Sequence, residues 1–207
     1  MLGLNKREVK ILKSLNTPGK IQDFLNRVPI NFEEKGDTCM SPRMVLKNWK
    51  AHCIEGAMLA AAALKLNGER PLVVDLESTK KDFDHVICVF KREGKWGSVS
   101  KTNHAVLRYR EPIYKSIREL VMSFFHEYFD DNGKKTLRQY SLPVDLSRFD
   151  HLNWMASEED VWEIPDYLAK VKHFPMLTRS QIAGLRLADK SEIEAGKIVE
   201  WKTKNTR

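Results

Sequence analysis

Cys53 stands in NWKAHCIEGAMLAAAALKLNG (48–68), where a polar stretch gives way to a run that is apolar on nearly every side. A cysteine at a helix start meets the free N–H groups of the first turn and the positive end of the helix dipole. Both stabilise a thiolate and make it nucleophilic near neutral pH. A thiolate that attacks a carbonyl also needs a group to pair with it and then protonate the leaving group, a task suited to histidine. His85, which opens HVICVFK (85–91), is the candidate. The N–H of Cys53 itself has no intrahelical partner and is placed to hold a developing oxyanion. Against this stands the plainer use of such residues: a cysteine in an Ala/Leu-rich helix more often fills core space, and a lone strand histidine is more often structural.

The elements that must position these residues follow from patterning. NKREVKILKSL (5–15) has helical spacing at Val9, Leu12 and Leu15, and Thr17-Pro18 opens a second helix through about Leu25. INFEEKGDTCMSP (30–42) is polar loop in which Cys39 could be exposed, and helical character resumes at PRMVLKNW (42–49). The run from Cys53 to Leu66 is a buried helix ended by Asn67-Gly68, with Pro71 just beyond. LVVDL (72–76) reads as a strand. In HVICVFK the alternation puts His85, Ile87, Val89 and Lys91 on one face, expected to press on the helix, with Cys88 buried on the other. Asp84 should then point away from the His85 ring. REGK (92–95) is a hairpin turn with Gly94, WGSVS (96–100) the partner strand, and HAVLRYR (104–110) a further strand before Pro112. IYKSIRELVMSFFHEYF (113–129) carries the apolar stripe of a helix lying on a core. The chain is expected to divide into a core domain (1–149) and a C-terminal extension (150–207) that packs on it or covers it.

The order of these features resembles the transglutaminase-like superfamily, a branch of the papain-like cysteine enzymes. CIEGAMLAAAALKLNGERPLVV (53–74) is similar to its nucleophile helix and the turn into the next strand. HVICVFKREGKWGSVS (85–100) is similar to its histidine strand and Gly-x-Trp hairpin. The resemblance implies an α+β fold of papain-like core, a buried Cys-bearing helix packed on an antiparallel β-sheet with helical flanks. It implies Cys53 as nucleophile and His85 as general base and acid, acting on amide bonds by peptide hydrolysis or acyl transfer, without a cofactor or metal. The family's third position, an aspartate that orients the histidine, falls here on Ser100, with Asn103 three residues on as a substitute if the chain bends. Asn48 or Trp49 would supply a second oxyanion donor, and His52 would flank the cleft. The neutral Ser100 also leaves open an inactive domain of the same fold that binds a protein or peptide.

Composition narrows the alternatives. Of 207 residues, 42% are hydrophobic and 30% charged, as in ordinary globular domains, and the start MLGLNKREVKILKSL has no signal-peptide pattern, so a cytoplasmic protein without a membrane span is expected. Three cysteines have no metal-ligand spacing and are expected to be free thiols. The net charge of +7 comes from dispersed residues such as Lys80-Lys81 and Lys134-Lys135, so nucleic acid is not the expected partner; a protein or peptide substrate is. His126-Glu127 lacks the second histidine of HExxH, and Asp130-Asp131-Asn132-Gly133 lacks the ligand spacing of a calcium loop.

Overall fold

The structure is a computed structural model and describes residues 3–199. Four helices come first, α1 (Lys6–Ser14), α2 (Pro18–Arg27), α3 (Pro42–Asn48) and α4 (Cys53–Leu66). Their starts follow from side-chain caps. Asn5 accepts from the Glu8 N–H at 2.9 Å while its own N–H donates to the Glu8 carboxylate. Thr17 and Ser41 accept from the amides of Lys20 and Met44, each with proline at the first helical position. Every residue of α4 from Ile54 to Leu64 is buried, which accounts for its all-round apolar sequence.

Seven strands form one antiparallel sheet: β1 (Leu72–Glu77), β2 (His85–Arg92), β3 (Lys95–Val99), β4 (Arg110–Tyr114), β5 (Gln139–Ser141), β6 (Val144–Asp145) and β7 (His173–Pro175). The order is β4-β3-β2-β1-β5-β7, and β6 also pairs with β1. The β2–β3 hairpin closes through Glu93 and Gly94, both at positive φ, the two-residue turn that matches strand twist. The chain is therefore α+β, a helical layer beside an open antiparallel sheet. Among the described residues no helix is long and apolar enough to cross a membrane.

The faces of β2 are the reverse of the sequence expectation. Val86, Cys88 and Phe90 join α4 in the larger core cluster. Ile87 and Val89 join the opposite cluster, with Leu120, Val121 and Phe124 of α5 (Ile117–Met122) and the turn after it. Both faces of the strand are apolar, so alternation alone could not say which met α4. Two further expectations change. The strand placed at 104–110 lies instead at Arg110–Tyr114 and contains Pro112, tolerated because β4 is a sheet edge. The long helix placed at 113–129 is only α5, because Ser116 accepts from the Glu119 N–H and starts the helix there, leaving Ile113 on the exposed edge strand.

Residues between 150 and 176 contribute to the core. Trp154 is fully buried in the same cluster as α4, with Ile164 and Leu168 of α6 (Glu163–Leu168), and β7 extends the sheet through β5. Cys39, expected in an exposed loop, is buried, because Asp160 and Val161 cover it: its N–H donates to Asp160 and its carbonyl accepts from Val161. The chain then runs through α7 (Arg179–Ala183) and α8 (Lys190–Gly196); residues 200–207 of the expected extension lie outside the described residues.

Close packing of α4 makes one substitution diagnostic. A Cβ on Gly56 would fall 2.4 Å from the Cβ of Lys101, a buried residue whose ammonium donates to the Val28 carbonyl. In a free helix, glycine to alanine stabilises by about 1 kcal/mol. Here Gly56→Ala is expected to destabilise by about 1–3 kcal/mol, as overpacked cores do, read by urea unfolding.

A buried pair ties β1 to β7. His173 Nδ1 lies 2.8 Å from the Val171 carbonyl, so it carries a proton, and Nε2 lies 3.1 Å from Asp75 Oδ2, where a second proton must sit on one atom or the other. Burial pushes the Asp75 carboxyl up to about 6, with Asp84 adding to the shift and His173 opposing it. Asp75 thus holds its proton more tightly folded than unfolded. The stability this contributes is fully present below about pH 4 and is lost as pH rises through 6. Asp75→Asn, which imitates the protonated form, should gain up to about 3 kcal/mol relative to the native chain between pH 4 and 7, measured by denaturant melts across that range.

Candidate functional site

The approach to α4 is fixed by backbone pairing. Asn31 N–H donates to the Ala51 carbonyl at 3.1 Å and Ala51 N–H to Pro29 at 3.0 Å, so the chain enters the helix against the 29–31 segment. His52 is then the cap residue and Cys53 the first helical one. The first intrahelical bond runs from Gly56 N–H to the His52 carbonyl, so the amides of Cys53 and Ile54 precede it.

Beneath them lies Glu55, whose side chain has no exposed surface. Its carboxylate accepts from the N–H groups of His52 and Met40 (both 2.9 Å), the Thr38 hydroxyl (2.8 Å) and Asn31 Nδ2 (3.2 Å). Burial opposes its charge, but His52 and these donors hold the carboxyl below its ordinary value. The His52 ring rests on this frame. Its Nε2 donates to the Thr38 carbonyl at 2.9 Å and lies 3.3 Å from Glu55 and 3.5 Å from Glu33.

His85 is the first residue of β2 and is buried. Its Nε2 lies 2.8 Å from the Ser100 hydroxyl, which also lies 2.6 Å from the Leu107 carbonyl. A carbonyl can only accept, so the hydroxyl proton goes to Leu107 and His85 Nε2 must donate to Ser100. Nδ1 is thereby left for the sulfur. Ser100 is itself clamped: Gln22 of α2 accepts from its N–H and donates to its carbonyl, both at 2.9 Å. Asp84, one residue before His85, spends its carboxylate on the Ser78 N–H, in keeping with the alternation of a strand.

The Cys53 thiol interacts with both rings. Burial would raise its pKa, but the hydrogen bonds and charges of His52 and His85 bring it down to about 5. His52 moves the other way: burial works against the charged ring, yet Cys53 and Glu55 hold it up at about 11. The two shifts describe one thiolate–imidazolium couple. Cys39 and Cys88 are ordinary buried thiols, and burial pushes both above the usual cysteine range.

Cys53, His52 and His85 open into a cavity of about 750 Å³. Phe32 and Phe83 stand on its walls with Tyr128, Lys101 and Asp82, and Ile193 and Val199 from the C-terminal segment line another side. Asn103 lines the cavity too, but Ser100 is the partner of the His85 ring. Asn48 and Trp49 do not line it. Asn48 Nδ2 lies 3.2 Å from Met40 Sδ, and Trp49, in the left-handed conformation after α3, packs edge-on against Phe24 and is 44% exposed. The turn after α3 carries the side chains of Asn48 and Trp49 away from the cavity wall, whereas the Cys53 amide precedes the first intrahelical bond of α4.

Sequence reasoning missed Gln22, Glu55 and the direct part of His52. Glu55 had a signal, as the lone acid three residues past the cap position of an apolar helix. Gln22 had none, since its partner is 78 residues away. If Ser100 holds the His85 ring, Ser100→Ala should remove the slowly exchanging Nε2 proton signal from the imidazole NMR region, while Ser100→Asp should retain it and shift it downfield.

Compared with known proteins, the chain matches no family model, and no curated protein is significantly similar to it.

Proposed function

We propose that the chain is a transglutaminase-like cysteine enzyme acting on amide bonds of a protein or peptide. The observation that carries this reading is the meeting of Cys53, at the start of a buried helix, with His85, whose far nitrogen is tied to Ser100, at the wall of one cavity. The Cys53 thiolate attacks the amide carbonyl, the C–S bond forms and the carbonyl π electrons move onto oxygen, facing the helix-start amides. As the C–N bond breaks, protonated His85 delivers its Nδ1 proton to the departing amine. The thioester is then attacked by water or by an amine. His85 takes the proton of that nucleophile, and sulfur leaves as thiolate. Hydrolysis and acyl transfer share every residue named and differ only in the second nucleophile.

A second reading draws on Ser100. A hydroxyl orients the ring but supplies no negative charge, and a domain that had given up turnover would keep the same cleft for binding a peptide.

Iodoacetamide alkylation followed by mass spectrometry tests the enzyme reading. Cys53 should react ahead of Cys39 and Cys88, with a rate that rises through a midpoint near pH 5. Release of a fluorescent amine from peptide amides, or its incorporation into glutamine peptides, should vanish in Cys53→Ser. A midpoint above pH 8 would sink the reading. Fast alkylation with peptide binding but no turnover selects the binding domain.

A further inference from the structure

Two histidines act on one sulfur, and they are built differently. His85 stands at the start of β2 and, among the described residues, its hydrogen-bonded partners beyond the thiol are neutral: the Ser100 hydroxyl, and through it the Leu107 carbonyl. His52 has two carboxylates within 3.5 Å of its Nε2, one of them fully buried, and its own N–H is bound to that same carboxylate. Charge on an imidazole is favoured by nearby carboxylates and hardly at all by a hydroxyl. The fixed positive partner of the sulfur is therefore on the helix side of the cleft.

We propose that His52, held by Glu55 and Glu33, is the charge partner that keeps Cys53 ionised, and that His85 is thereby left to carry protons to and from substrate. The inference rests on the enzyme reading above and divides its labour. In a single-histidine site the proton that His85 gives to the leaving amine is the one that sustained the thiolate, so ionisation of sulfur and proton load of the ring rise and fall together. Here sulfur expelled from the thioester finds His52 still charged and needs no proton from His85. This also supplies a physical reason why a neutral Ser100 can stand at the third position: the carboxylates that stabilise an imidazolium are assembled on the other ring. The other carboxylates near the couple are engaged elsewhere: Asp75 faces the His173 ring and Asp82 accepts from the Thr136 hydroxyl. The Cys39 thiol beyond Glu55 and the Tyr128 phenol are both kept neutral by burial, the Lys101 ammonium is bonded to the Val28 carbonyl, and Asp84 faces the Ser78 amide.

The test is the pH dependence of Cys53 alkylation in the native chain, His52→Gln and His85→Gln, each checked for a cooperative thermal melt. His52→Gln keeps a donor for the Thr38 carbonyl and is expected to move the midpoint up by one pH unit or more, with His85→Gln moving it by less than half as much. The opposite ranking overturns the inference while leaving the enzyme reading standing. A native midpoint above pH 8 sinks that reading itself. Should His52→Gln fail to fold, ¹⁵N histidine spectra of the native chain decide. His52 with both ring nitrogens protonated at pH 8 supports the proposal, and a neutral His52 ring overturns it.

Discussion

A carboxylate with no exposed surface, Glu55, organises the end of the fold that carries Cys53. An isolated buried charge is costly, and this one is tolerated because four kinds of donor converge on it: two backbone amides, a hydroxyl, a side-chain amide and the His52 ring. The donors come from three stretches of chain. Asn31 and Thr38 belong to the loop before α3, Met40 to the turn into α3, and His52 to the cap of α4. Satisfying one carboxylate therefore fixes the relative position of three segments and the rotamer of the residue next to Cys53. Breaking such a network by removing one partner leaves buried charge uncompensated, at a cost of roughly 3–5 kcal/mol.

The second organising constraint is the clamp on Ser100. Gln22 completes both backbone hydrogen bonds of a residue just past the end of β3, where the sheet offers no partner, and so holds the hydroxyl where His85 needs an acceptor. Helix α2 thus serves the site at a distance, through two 2.9 Å bonds and without touching the thiol. The side of the cavity facing α8 is built otherwise. Among the described residues its backbone ties to the rest of the chain include the His104–Val199 bridge, the bond from Ala105 N–H to the Ile198 carbonyl and that from Ala188 N–H to the Gly133 carbonyl.

What could be read from the sequence divides along the range of the forces involved. Helix caps and the β2–β3 turn are local, and Asn5, Thr17, Ser41 and Glu93-Gly94 act where their positions indicate. The burial of α4 was legible because a helix apolar on all sides has only one place to be. The meeting of Cys53, His85 and Ser100 was legible only as an order of features along the chain. The faces of β2 were not legible, because both are apolar and the tie is broken by which helices arrive on each side. The edge position of β4, which lets Pro112 sit in a strand, depends on nothing pairing beyond it, a fact of topology rather than of local pattern. The residues after 149 read as an extension because their apolar residues fall in short pieces separated by turn signals. Trp154 alone buries a large side chain among those of α4, which makes the segment core.

The absence of an aspartate at position 100 therefore has to be weighed against the whole electrostatic frame and not against the His85 ring alone. An orienting carboxylate does two things for a catalytic histidine: it selects the tautomer and it stabilises the charged ring. Ser100 performs the first, since its hydroxyl proton is committed to Leu107 and its lone pair can only accept from Nε2. Among the described residues no carboxylate is hydrogen-bonded to the His85 ring; Glu55 and Glu33 converge instead on the His52 ring, and the Cys53 sulfur interacts with both rings. The orienting hydroxyl and the paired carboxylates, which one aspartate would combine, here stand on opposite sides of Cys53.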